Sequence, residues 1–269
     1  MIKQTEIILN YHNRTKHRMD GYAKGPESID WEDQPDQFRH FSDCEIITLP
    51  KPGADLEHLF IALDTPEIIP PKPVNLINMG LLLELAFGLS AWKQFGPSRW
   101  ALRCNPSSGN LHPTEAYLIS TGSDYLQSGV YHYVSHDHTL EQRCQFSNSI
   151  QEPSLLIGLS SVHWREAWKY GERAFRYCQH DIGHALGALR YAAATLGWSI
   201  ELMAEMSDDD IATLLGLNRT DDFKAHEQET PDLICRITAQ PEGKPLVGKS
   251  LIKAAQAGLW SGKADSLRA

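Results

Sequence analysis

Hydrophobic positions change their spacing several times along the chain, and each change predicts an element. Residues 1–74 carry no sustained period. The polar run Asp30–Gln37 and prolines at 26, 35, 50, 52, 66, 70, 71 and 73 predict an extended N-terminal arm packed on a core, with a short helix around Asp55–Leu63. Asn75 is a capping residue. After it, Leu76, Ile77, Met79, Leu81, Leu82, Leu83, Leu85, Ala86 and Leu89 form a stretch apolar nearly all round, which predicts a buried helix that Gly88 helps to end. Residues 96–113 are rich in turn formers. Glu115–Ser120 either finishes a helix or begins a strand, and Val130–Val134 and Leu155–Val162 read as strands.

The longest period runs from about Trp164 to Leu196. Apolar residues at 168, 175, 178, 182, 186, 189, 193 and 196 follow helical spacing after one gap of seven, and predict a single long helix stopped by Gly197. Ser199–Glu205 reads as a strand. Ser207 followed by Asp208, Asp209 and Asp210 reads as a cap with an acidic first turn, opening a helix to about Leu215. Pro231–Thr238 is another strand, and residues 246–269 a weakly amphipathic helix with a frayed tail. No βαβ beat and no internal repeat emerge, so the predicted class is α+β: an arm (1–74), a core domain (75–245) and a C-terminal helix and tail (246–269).

Composition narrows the function classes. The chain of 269 residues is 42% hydrophobic, enough for a core, and its formal charge of −9 argues against a nucleic-acid surface. A mean hydropathy of −0.36 and the lack of a long apolar run predict no membrane span. No secretory h-region opens the chain, so a cytoplasmic location is expected, and the match to a glycosylation acceptor at Asn13-Arg14-Thr15 is discounted. Cysteines 44, 104, 144, 178 and 235 show no CxxC spacing and predict reduced thiols.

Candidate chemistry concentrates in residues 99–115, Arg-Trp-Ala-Leu-Arg-Cys-Asn-Pro-Ser-Ser-Gly-Asn-Leu-His-Pro-Thr-Glu. An anionic group needs fixed positive charge, hydroxyl donors and free main-chain N–H groups. Arg99 and Arg103, Ser107 and Ser108, and the turn at Gly109 offer these in order, although an ordinary turn with two surface arginines has the same sequence. The stretch is neither a Walker A motif nor a G-x-G-x-x-G fingerprint.

The segment Arg103-x-Asn105-Pro106-Ser107-Ser108-Gly109-Asn110-Leu111-His112-Pro113-x-Glu115 resembles the Arg-x-x-Pro-Ser-x-Gly-x-x-x-Pro-x-Glu segment of the nitroreductase superfamily, in particular its SagB/ThcOx branch of azoline dehydrogenases. Lys169-Tyr170-Gly171 is similar to the Lys-Tyr pair of that branch, and Tyr177-x-x-x-Asp181-x-Gly183-His184 also recurs there. The resemblance spans roughly residues 75–240, and Tyr11–Phe41 resembles one subset.

That resemblance implies a central, mainly antiparallel sheet flanked by helices, and an FMN site over residues 75–245. It implies that Arg103 and Ser107 contact the polar or phosphate side of the flavin, that Pro106, Ser108, Gly109 and Asn110 line one ring face, and that Lys169 and Tyr170 handle the proton. It further implies hydride transfer between flavin and a small-molecule or peptide substrate or NAD(P)H, in a homodimer. The family's N-terminal Arg-Arg-Ser-x-Arg phosphate grip is missing, and many relatives continue into a second half. Two expectations follow: a second copy completes the site, or flavin binding is weakened or lost.

Two other readings compete. His180-Asp181-Ile182-Gly183-His184 puts two imidazoles at i and i+4 and echoes the zinc-hydrolase pattern His-Glu-x-x-His, although no third ligand is obvious; the plainer expectation is one histidine bonded in the core and the other near the surface. A nitroreductase-fold binding or scaffold subunit without flavin is the second. His132, His136 and His138 read as a solvated hairpin tip, and no metal site is expected.

Overall fold

A computed structural model describes residues 3–51, 56, 58–65, 68–147, 150, 152–239 and 248–268. Its helices are α1 (Gln4–Thr15), α2 (Leu76–Phe87), α3 (His163–Tyr170), α4 (Ala174–Thr195), α5 (Asp208–Leu215) and α6 (Gly248–Gln256). Its strands are β1 (Phe41–Ser42), β2 (Glu45–Thr48), β3 (Leu89–Phe95), β4 (Ser98–Arg103), β5 (Thr114–Thr121), β6 (Gly129–Val134), β7 (Thr139–Gln145), β8 (Ser154–Ser161), β9 (Ser199–Leu202), β10 (Thr230–Thr238), β11 (Leu259–Trp260) and β12 (Lys263–Ala264).

The main sheet runs β11-β7-β6-β5-β8-β10-β9, with β2 also on β7, and its pairings are antiparallel. Both faces are covered. Leu118, Leu155, Ile157 and Leu159 pack with α2 and α4, while Tyr117, Ile119, Leu156 and Ile234 pack with α5 and α6. Every residue of β5 is buried, which is why its sequence shows no clean alternation of apolar and polar positions. The helix on α2 is capped as expected: Asn75 accepts from the Asn78 N–H at 2.9 Å, and Gly88 ends it.

Five expectations need correction. The single helix from Trp164 to Leu196 is two. Gly171, at φ 54° and ψ −129°, adopts a conformation that side chains oppose, and one turn of 3-10 helix separates α3 from α4. The arm is not wholly extended: α1 docks on the start of α4 through Tyr11, whose Oη donates to Glu172 O and accepts from Arg176 N. The helix expected around Asp55–Leu63 is a 3-10 turn at Phe60–Asp64, and Asp55 lies outside the described residues. The tail after α6 is woven in rather than frayed, with β11 on β7, β12 on β1 and Leu267 buried. Residues 96–103 also differ from a plain turn, since Ser98–Arg103 pairs with Leu89–Phe95 in an exposed hairpin. No described helix is long and apolar enough to cross a membrane.

Candidate active site around Gly109

The loop between β4 and β5 takes left-handed backbone at Gly109 (φ 62°), Asn110 (φ 60°) and His112 (φ 49°). Glycine and asparagine tolerate this conformation best; part-buried hydrogen bonds hold the loop in it. The His112 N–H donates to Ser107 Oγ at 2.9 Å, the His112 ring bonds Asn110 Oδ1 at 3.0 Å, and Asn110 Nδ2 donates to Ala101 O.

Asp181 of α4 holds the loop from beneath. It is fully buried and accepts from Ser107 Oγ at 2.7 Å, Ser108 Oγ at 3.0 Å and Ser108 N at 3.0 Å. Burial pushes its carboxyl up from the ordinary value, while the serine hydroxyls and the Ser108 N–H pull it back. The serine hydroxyls thus turn into the protein. Arg103 does likewise: it is buried, donates to Gln37 O at 2.5 Å and Thr114 O at 3.3 Å, and lies over the Phe38 ring. Burial lowers its pKa to about 10. Arg99 points elsewhere, stacking 4.2 Å over Trp92 on the hairpin.

Lys169 and Tyr170, at the end of α3, rest on the outer side of this loop. A Cβ built on Gly109 would lie 2.5 Å from Tyr170 Oη and 3.1 Å from Lys169 Nζ, and Lys169 Nζ reaches Gly109 O at 3.5 Å. Tyr170 Oη makes no hydrogen bond among the described residues. Burial, with Glu166 adding to it, raises the phenol's pKa. Arg173 lies 5.5 Å over the Tyr170 ring. A cavity of about 310 Å³ borders the loop, lined by Trp31, Phe38, Trp92, Arg99 and Trp100 and sharing Gln37 and Ala101 with the bonds that hold Arg103 and Asn110. Between Gly109 and the Lys–Tyr pair there is no room for a ring, so a planar ligand at this face displaces the two side chains or lies against them.

The structure also assembles groups that sequence reading missed. Arg165 pairs with Glu115, Glu115 bonds His132 at 3.1 Å, His132 bonds Glu141 at 3.0 Å, and Glu141 bonds His40 at 3.2 Å. Burial opposes a charge on His132, but its two carboxylate partners outweigh burial and raise it to about 9. His132 and His138 are therefore buried rather than on a solvated tip, where only His136 of the three sits. The signal for Asp181 was present: it stands between Cys178 and Ile182, inside the apolar stripe of α4. His180 and His184 are both exposed, against the expectation that one would bond in the core, and no group of three or more metal-ligating side chains forms among the described residues.

An antiparallel sheet with helices on both faces, and a serine–glycine loop clamped between the sheet and two helices, define the class: the chain has the nitroreductase fold. No family model matches the sequence. In sequence the chain is similar to a Methanocaldococcus jannaschii protein named "putative nitroreductase", 23% identical over 157 residues, or 54% of this chain and 75% of that one. A solved "putative nitroreductase" from Anabaena variabilis superposes with a TM-score of 0.64 at 24% identity over 86% of this chain, which spans 46% of that chain's length. Another so named, from Ralstonia eutropha, gives 0.52 at 17% identity, covering 80% of this chain and 96% of that one.

Proposed function

We propose that the chain is an FMN-dependent oxidoreductase of the nitroreductase type, akin to the SagB/ThcOx branch, with the flavin held at the face formed by Gly109, Lys169 and Tyr170. One observation carries the reading. The two residues marked in the sequence for proton handling meet the glycine at the centre of the segment marked for the cofactor.

The residues there fit such a group chemically. Gly109 offers a floor without a side chain once Lys169 and Tyr170 swing aside from it, Lys169 and Arg173 bring positive charge to an anionic ligand, and the Tyr170 hydroxyl has no hydrogen-bond partner among the described residues. FMN, when bound, supplies hydride exchange at N5. This chain's residues do the rest. Asp181 fixes the loop through Ser107 and Ser108, Arg103 braces it from inside, and Pro106 and Asn110 shape its rim. Tyr170 keeps its proton near neutral pH and moves it at the phenolic oxygen, and Lys169 stabilises the negative charge that follows. The partner molecule is an organic small molecule or peptide, with NAD(P)H as co-substrate. A second copy of the chain supplies the remainder of the pocket, in keeping with the longer Anabaena structure.

A second reading, a binding or scaffold subunit without flavin, has one observation in its favour: the serine hydroxyls and the Arg103 guanidinium are engaged by the protein itself. One experiment separates the two. An absorbance spectrum of the purified chain, with chromatographic identification of any released chromophore, should show FMN. Colourless protein that cannot be reconstituted with FMN would establish the scaffold instead. Lys169→Ala and Tyr170→Phe should keep flavin content and lose turnover.

A further inference from the structure

Glu166 has no part in that reading. It lies three residues before Lys169 and four before Tyr170 on α3, so helical spacing sets all three on one side of the helix, with Cβ atoms about 5–6 Å apart. Lys169 and Tyr170 cover Gly109. Glu166 is the inner member, fully buried, and neither of its carboxyl oxygens has a hydrogen-bond partner.

Among the described residues no counter-charge is in contact with it. Arg165 turns to Glu115 and to the main-chain oxygens of Asp36 and His112 through Nε and Nη1, and its Nη2, which has no partner among the described residues, makes no hydrogen bond to Glu166 either. From α4, Cys178 and Asp181 lie within its electrostatic reach, and both Asp181 oxygens are taken by Ser107 and Ser108. A bare carboxylate is unfavourable in such a place. Burial, with Asp181 adding and Lys169 opposing, pushes the Glu166 carboxyl up to about 9.

We propose that Glu166 is the proton store of the Lys169–Tyr170 site, a buried carboxylic acid that resupplies Tyr170 as Tyr170 protonates a bound acceptor. Glu166 and Tyr170 Oη are not hydrogen-bonded at rest, so the step runs through one water between them: the Glu166 O–H bond breaks, the water passes a proton on, and an O–H bond forms at Tyr170 Oη, while Tyr170's own proton passes to the acceptor. Only a proton moves. The Lys169 ammonium stabilises the carboxylate left behind until solvent returns a proton. A site stocked with a proton at rest is built to reduce an acceptor rather than to strip hydrogen from a donor, a direction that rests on the oxidoreductase reading above.

Two measurements need neither substrate nor turnover. Infrared difference spectra of the full chain with ¹³C-labelled glutamate, taken from neutral to alkaline pH, should show a protonated-carboxyl band that disappears on titration and is missing in Glu166→Gln. No such band in the wild type at neutral pH overturns the proposal even if the variant does not fold. Ultraviolet titration should show Tyr170 ionising at lower pH in Glu166→Gln, with Tyr170→Phe assigning the signal; an unmoved titration also overturns it. In turnover, Glu166→Gln should reduce an acceptor about 100-fold more slowly with flavin content unchanged. Full turnover in Glu166→Gln, with Lys169→Ala and Tyr170→Phe inactive, sinks the proton store and spares the oxidoreductase reading. Full turnover in all three sinks both.

Discussion

Replacing Asp181 with alanine tests whether the loop beneath Lys169 and Tyr170 is held from α4 or holds itself. The substitution strands three donors: Ser107 Oγ, Ser108 Oγ and the Ser108 N–H. Each unsatisfied buried donor costs about 1–3 kcal/mol, so the gross loss is about 3–9 kcal/mol. Two effects reduce it. The serine hydroxyls can rotate to water, because both serines are only half-buried, and the variant no longer buries a carboxylate. A net loss of about 2–4 kcal/mol is therefore expected in urea unfolding, and Asp181→Asn, which keeps one acceptor, should lose about half as much. Because the bonds converge on one loop, the local effect should be the larger one. Hydrogen exchange at the Ser108 amide should quicken by about tenfold for each 1.4 kcal/mol of lost protection. Wild-type exchange at Ser108 in Asp181→Ala would show that the turn is self-supporting and that the anchor on α4 is idle.

Three further outcomes are expected. Glu166 binds a proton in the folded chain between its unfolded value of 4.5 and its folded value of about 9. Stability should therefore fall as pH rises through that window, and the wild-type deficit relative to Glu166→Gln should grow by about 1.4 kcal/mol per pH unit in urea titrations; a flat difference refutes the buried acid. His132 is raised from 6.5 to about 9, so the stability it contributes is fully present below 6.5 and lost as pH rises to about 9. His132→Gln should cost most in acid, by about 3 kcal/mol, and almost nothing beyond that window, as read from melting curves at several pH values. Gly109→Ala combines φ 62° with a methyl group set against Tyr170 Oη. It should cost about 1–2 kcal/mol and drive Tyr170 outward, which tyrosine fluorescence quenching in a Trp-independent window or ultraviolet titration would detect.

Local chemistry made some elements legible and left others hidden. The caps at Asn75 and Ser207 are short-range devices, and both form as their residues suggest, Ser207 in a reciprocal pair with Asp210. The break at Gly171 was hidden because the gap between Trp168 and Phe175 equals two helical turns, so the spacing resumed in phase on the far side. Helix α1 left no apolar stripe to find, since Thr15 is its only described buried residue. His132 misled for a different reason. Strand β6 is buried throughout, and a histidine there survives through Glu115 and Glu141, partners whose proximity is a product of the strand order β7-β6-β5. Among the site residues, the segment from Arg103 to Asn110 and the pair Lys169–Tyr170 were found, and their meeting at Gly109 was not readable from either segment alone.

That meeting depends on the interruption of the long helix. Lys169 and Tyr170 are the last residues of α3, and Asp181 stands on α4 beyond the Gly171 turn, yet all three bear on the same few atoms of the loop: the first two from outside at Gly109, the third from inside at Ser107 and Ser108. On one straight helix, residues 169, 170 and 181 are separated by eleven or twelve positions, about 16–18 Å along the axis, too far to converge on adjacent loop residues. The turn at Gly171 changes the chain direction and closes that distance. A Gly171→Ala variant opposes the φ of 54° and should therefore act on the site before it acts on the fold: it should cost about 1–3 kcal/mol by urea unfolding and loosen the contact of Tyr170 with Gly109. A variant that lost this stability while the Tyr170 titration stayed in place would show that the pair is seated by its own packing on the loop, and that the helix break serves the fold alone.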